Sequence, residues 1–229
     1  MPDPALSFVK KMVQNKIIRV DKDHPDPAII NQAASILKTG GLIIFPAACL
    51  YGVAGNALSV NAVEKVFQLK QRPRSNPILV LIKNTDQLDG LVTTVPDKAR
   101  ILMKQFWPGG LTLVFDAADS IDPKLTAGSK KLGIRLPGHP IARALVNSVD
   151  FPVTGTSANL SGRPGCTRTD MLCPEIMEKV DLVLDAGLAK GGAGSTVVDV
   201  TCTPPRILRR GTIPAKDIYA CLKGGITDL

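Results

Sequence analysis

Short apolar runs alternate with helix-spaced stretches along most of this chain, and that rhythm constrains the fold more than any single residue. Ile29, Ile30, Ala33, Ile36 and Leu37 share one face of a helix predicted over 27–38, and Gly40-Gly41 ends it. The run at 42–45 reads as a buried strand. A capping box at Asn61-x-x-Glu64 predicts a helix through Leu69, and an apolar strand follows over 78–82. Pro96 opens a helix to about Phe106. Further strands are predicted at 111–115, 133–136, 152–154, 182–184, 196–200 and 206–208, with helices at 140–148 and 214–222 and partly helical structure over 170–180. Seven or so strands with helices between them predict an α/β fold whose sheet is mixed in direction. No linker-like stretch divides the chain, so residues 19–229 read as one domain behind an N-terminal extension at 1–18.

Composition excludes several classes of function. With 45% hydrophobic and 21% charged residues among 229, the chain can bury a core and is not disordered. Six Phe, two Tyr and one Trp are too few for a nucleic-acid reader built on rows of stacking rings. The two histidines, His24 in a turn-like polar stretch and His139, leave almost nothing for a histidine metal site or a Ser-His-Asp triad. Five cysteines with no C-x-x-C pair fit neither a disulfide framework nor structural zinc, and reduced thiols in a cytoplasmic protein account for them. Neither a signal peptide nor a membrane span is expected.

Four segments carry polar chemistry. Residues 45–52 follow a strand, and 69–74 (Leu-Lys-Gln-Arg-Pro-Arg) follow a helix. Between Asp26 and Glu64 there is no acidic residue, and from Lys65 to Lys83 five cations stand without one. Lys70 can cap its helix, but Arg72 has left the helix, and two cations this close favour an anion between them. Thr154-Gly-Thr-Ser-Ala-Asn-Leu-Ser-Gly162 offers hydroxyls, an amide and backbone N–H groups suited to phosphate oxygens, as does any Ser/Gly turn. The glycine-rich 190–196 turn matches neither the Walker nor the dinucleotide-binding pattern, and 206–211 reads equally as a charged edge strand.

In this order the segments resemble the YrdC-like family, enzymes that make threonylcarbamoyl-AMP. The resemblance runs over about residues 29–218. It rests on Tyr51-Gly52, Lys70-x-Arg72-Pro73, Phe106-Trp-Pro-Gly-Gly-Leu-Thr112, Gly133-Ile-Arg-Leu-Pro-Gly-His-Pro140, Ser157-x-Asn159-Leu-Ser-Gly162, Gly194-Ser-Thr-Val-Val-Asp199 and Arg206-Ile-Leu-Arg209. It implies a twisted, open mixed sheet with flanking helices and a concave basic face. It also implies a nucleotidyltransferase that forms L-threonylcarbamoyl-AMP and pyrophosphate from L-threonine, bicarbonate and ATP, for N6-threonylcarbamoylation of tRNA adenosine 37. By the same match Lys70 and Arg72 are catalytic; Arg135, Ser157, Asn159, Ser195 and Arg209 bind the nucleotide; and Ala47, Tyr51 and Thr156 border the substrate amino acid. His139 would border the nucleotide or cap a helix. ATP enters as a substrate, Mg²⁺ would ride on its phosphates, and no protein metal ligands are expected.

The resemblance also implies tRNA-modification partner proteins. Family members carry Pro-Thr-Asp/Glu-Thr where this chain has Pro46-Ala47-Ala48-Cys49, so two hydroxyls and a carboxylate beside the amino acid are replaced by two methyls and a thiol. The net charge of +8 is concentrated in residues 1–114, with 14 basic and 8 acidic side chains against 14 and 12 in the rest. That excess and the altered segment raise an alternative, a non-catalytic member binding double-stranded RNA or tRNA.

Overall fold

Several helices begin behind a side chain that caps their first turn. In the computed structural model, which describes residues 16–224, helix α1 (Pro27–Lys38) starts behind Asp26, whose side chain accepts the Ala28 N–H. Helix α2 (Val60–Lys70) starts behind Ser59, which accepts the Ala62 N–H at 3.3 Å. The box expected at Asn61 is therefore corrected: the helix opens earlier, and Asn61 already lies in its first turn. Helix α3 (Asp97–Phe106) follows Pro96, and α4 is a single turn (Pro123–Thr126). Helices α5 (Pro140–Asn147), α6 (Pro174–Lys179) and α7 (Ala215–Gly224) complete the α-helices among the described residues.

Eleven strands occur among the described residues, in chain order β1 (Ile17–Arg19), β2 (Ile43–Pro46), β3 (Tyr51–Ala54), β4 (Val80–Leu81), β5 (Leu111–Asp116), β6 (Lys131–Arg135), β7 (Val153–Thr154), β8 (Thr156–Ser157), β9 (Leu182–Asp185), β10 (Thr196–Asp199) and β11 (Arg206–Arg209). They form two mixed sheets rather than one, ordered β1-β9-β2-β3-β8 and β11-β10-β5-β6-β4-β7. In the first, β1, β9 and β2 are parallel while β3 and β8 add antiparallel. The extension drawn at 1–18 overlaps β1, and its residues 1–15 lie outside the described residues. Three residues of β1 and two of β8 are too short to show a period of two, which is why pattern alone passes over them.

The continuous apolar character of β2 and β9 has a direct cause, burial on both faces. Ile44 and Val183 enter one core with Tyr51, Val66 and Leu113. Ile43, Phe45, Leu182 and Leu184 enter the other, against Ala33 and Leu37 of α1 and Ile141 and Leu145 of α5. Successive strand residues point to opposite faces, so one run of hydrophobics serves two cores.

The chain passes from the second sheet to the first between β7 and β8, at Gly155. Its N–H donates to Leu79 O at 2.9 Å. A Cβ there would stand 2.8 Å from Leu79 Cδ1 and Leu81 Cγ, so glycine alone lets the backbone pass this close. Thr154 Oγ1 accepts the Gly55 N–H at 2.9 Å, tying the crossing to the chain beyond β3. This crossing sets Thr156 and Ser157 beside Val53 and Gly52.

Candidate active site

A cavity of about 570 Å³ is walled by both sheets: Phe45, Tyr51 and Ser157 come from the first, and Thr112, Arg135 and Arg209 from the second. Four cations line it, namely Arg72, Lys131, Arg135 and Arg209, and among the described residues no Asp or Glu does. The partners of these cations decide what the cavity can hold. Lys131 is neutralised by Asp199 at 2.7 Å and donates to Thr201 Oγ1 at 2.8 Å. The three guanidiniums have carbonyl partners instead. Arg72 donates to Asn76 O at 3.0 Å and Pro77 O at 2.8 Å. Arg135 donates through Nε to Gly109 O at 2.6 Å. Arg209 holds Ser195 O through Nε at 3.1 Å and through Nη2 at 2.8 Å, and also reaches Ser195 Oγ at 3.0 Å.

Carbonyls orient a guanidinium without cancelling its charge. Burial lowers the pKa of all three arginines, yet a guanidinium stays protonated at neutral pH. Among the described residues both Nη groups of Arg135, Nη1 of Arg72 and Nη1 of Arg209 make no hydrogen bond to protein. The cavity thus presents oriented, unspent donors and uncompensated positive charge, the requirements of a site for phosphate or carboxylate groups. The Arg209 wall is built by close backbone approach: a Cβ at Gly211 would stand 2.3 Å from Gly194 O and 2.4 Å from Ser195 C, which explains the glycine at 211.

The other expected residues fall into two groups. Ala47, Tyr51, Thr156, Ser157 and Ser195 line the cavity with Arg72, Arg135 and Arg209, whereas Lys70 and Asn159 do not. Lys70 is 1% exposed, and its Nζ donates to Ser157 O, to Asn159 O at 2.7 Å and to Asn159 Oδ1 at 3.4 Å. Asn159 is spent on its own loop, donating to Leu160 O at 2.8 Å and Arg163 O at 2.6 Å and accepting from Ser157 Oγ. The Tyr51 ring walls the cavity while its hydroxyl donates away from it, to Gly187 O at 2.7 Å, and accepts the Ala186 N–H at 3.0 Å. Burial first, and then the nearby Asp185 carboxylate, push that phenol up to about 12, so Tyr51 stays neutral. His139 both caps α5, accepting the Ile141 N–H through Nδ1 at 3.3 Å, and borders the cavity; burial lowers its pKa.

Two wall residues carry no role in the sequence reading. Thr112 pairs with Ser195 through their hydroxyls at 2.7 Å. It stands in the Trp-Pro-Gly-Gly-Leu-Thr motif, where a polar residue inside an apolar strand was the available signal. Lys131 has no such signal, because only the fold brings it beside Asp199. Ala47, Ala48 and Cys49 all line the cavity, so the altered segment faces the site. Among the described residues no group of three His, Cys, Asp or Glu side chains could hold a metal ion, and no helix is long and apolar enough to cross a membrane.

Comparison with known proteins accords with this geometry. The threonylcarbamoyl-AMP synthase of Pyrococcus abyssi is 36% identical over 189 residues, 82% of this chain and 56% of that protein. The one of Bacillus subtilis is 37% identical over 198 residues, 86% of this chain and 57% of that protein. The chain spans little more than half the length of these relatives. The crystal structure of P. abyssi Sua5 complexed with L-threonine matches with a TM-score of 0.86 at 35% identity, covering 90% of this chain and 60% of that one. The Sua5, YciO and YrdC family model, described as telomere recombination, matches residues 35–211. With its two mixed sheets and the arginine-lined cavity between them, the chain belongs to the Sua5/YciO/YrdC family.

Proposed function

We propose that the cavity binds ATP and L-threonine and forms L-threonylcarbamoyl-AMP. The observation that carries this reading is the set of three guanidiniums, oriented by carbonyls and facing a cavity that no carboxylate lines among the described residues, in a chain of this family. Threonine's amine and bicarbonate condense to a carbamate with loss of water. A carbamate oxygen then bonds to the α-phosphorus of ATP as the α–β phosphoanhydride bond breaks, and pyrophosphate leaves with that electron pair. Two anions must be held together, so charge and positioning dominate and a dedicated base is not required. That suits a wall with one histidine. Arg72, Arg135 and Arg209 offset the repulsion between carboxylate and phosphates, while Ser157, Ser195 and Thr156 line the wall beside them. Among the described residues the wall offers no carboxylate cage for Mg²⁺, which in this reading comes on the triphosphate with its water ligands. The adenylate would pass, with partner proteins, to adenosine 37 of tRNA in the cytoplasm.

Pyrophosphate release tests this. Protein, ATP, bicarbonate and threonine together should release it above the rate without threonine; equal rates with and without threonine count against the reading. The charge excess of +8 favours a second reading, RNA binding without catalysis. That reading requires affinity for double-stranded RNA or tRNA that falls steeply between low and moderate salt. Binding insensitive to salt, or none, removes it.

A further inference from the structure

Lys70 is a buried cation with no carboxylate partner among the described residues and no share of the cavity wall. An ammonium survives such burial only if its protons are taken up. Here all of them go to one loop, on Ser157 O, Asn159 O and Asn159 Oδ1, and the Lys70 carbonyl accepts the Ser161 N–H at 2.8 Å. The side chain and main chain of the last residue of α2 thereby clasp residues 157–161. The loop continues the clasp inward: Ser157 Oγ donates to Asn159 Oδ1, and the Ala158 N–H donates to Tyr51 O at 2.8 Å.

We propose that Lys70 is a positioning residue, whose ammonium ties the carbonyls of Ser157 and Asn159 to α2 and so holds Ser157 in the cavity wall beside the ligand bound by Arg72, Arg135 and Arg209. The identity of that ligand rests on the nucleotide reading above; the clasp does not. A charged head is what the position needs. Three N–H groups point at oxygens, whereas the neutral amine would turn a lone pair toward one of them. Burial first, and then the charge of Arg72, bring the Lys70 pKa down to about 8, while Cys166 opposes them. Cys166, itself beside Cys173, is the other titratable group facing Lys70; burial raises its pKa, so Lys70 gives up its proton before Cys166 does as pH rises. The clasp should therefore loosen just above neutral pH.

The test is amide hydrogen exchange of the ligand-free full chain from pH 7 to 9.5, corrected for base-catalysed exchange, together with ATP titration over the same range. In the wild type the amides of Ala158 and Ser161 should lose protection by about tenfold through pH 8, with those of β5 unchanged, and ATP affinity should fall in parallel. Lys70→Met should show the loose loop and weak binding already at pH 7, with neither changing further up to pH 9.5. Wild-type protection that is flat across pH 8 overturns the clasp, as does a folded Lys70→Met with wild-type protection and affinity. If Lys70→Met does not fold, the wild-type profile decides alone. Loop protection that falls in a protein that binds no ATP at any pH leaves the clasp standing and removes the nucleotide reading.

Discussion

Replacing Arg135 by methionine separates binding from folding at the centre of the proposed site. In the protein Arg135 spends one donor, Nε, on Gly109 O, and both Nη groups are free among the described residues. The substitution removes a single charge-assisted hydrogen bond, a loss of about 1.5–3 kcal/mol, and at the same time removes a cation that burial disfavours, which offsets part of that loss. In a chain of this size 1 kcal/mol moves Tm by roughly 2–4 °C, so the variant should melt within a few degrees of the wild type. Binding should respond far more. Each charge-assisted bond to a phosphate oxygen contributes about 1.5–3 kcal/mol, so losing even one weakens ATP by roughly ten- to a hundredfold. Isothermal titration with ATP, beside a thermal melt, reads both quantities. Arg135→Lys should recover part of the affinity, since an ammonium supplies charge without the fork. A folded Arg135→Met that binds ATP within threefold of the wild type would refute the assignment of the free Nη groups to the nucleotide.

Gly155→Ala puts a methyl 2.8 Å from carbons of Leu79 and Leu81, and overpacking of this kind costs about 1–3 kcal/mol; an unchanged Tm would contradict the crowding at the sheet crossing. Asp185 is pushed up by burial, but the Gly187 N–H, Arg19 and Tyr51 together hold its pKa below the ordinary carboxylate value. Its stabilisation is thus complete above the unfolded value near ~4 and lost as pH falls through the lower folded value. Urea unfolding should show Asp185→Asn less stable than the wild type at pH 7, with the gap closing in acid; a gap that is constant with pH would contradict this. Ala47→Thr adds a hydroxyl at the cavity wall and should tighten threonine severalfold while leaving ATP affinity within twofold, as read by titration with each ligand; weaker threonine binding would show that the methyl packs rather than leaves a hydrogen bond unmade.

What the sequence disclosed and what it hid divide along physical lines. Helix α1 and the strands at Ile43–Pro46 and Leu182–Asp185 are legible because one uninterrupted apolar pattern serves each. Strand β8 is not, because its two residues, Thr156 and Ser157, gain their pairing from the Gly155 crossing rather than from their own character. Arg72, Arg135, Ser195 and Arg209 emerge as site candidates only from their ordered motifs, and the fold brings them to one cavity. Lys70 shows the limit of that approach. The motif marks it as important and places it with the substrates, but its hydrogen bonds turn it to the loop behind them. Lys131 presents the reverse case, a cavity cation without a motif, neutralised by an aspartate far along the chain.

The central claim concerns the chemistry of the cavity, and isotopic labelling reaches it directly. With ¹³C-bicarbonate, ATP and L-threonine, mass spectrometry of the quenched reaction should find one labelled carbon in threonylcarbamoyl-AMP, formed in step with pyrophosphate, and Arg209→Met should suppress both. Pyrophosphate without labelled adenylate, or ATP bound at wild-type affinity with no threonine-dependent product under any condition, would contradict the account.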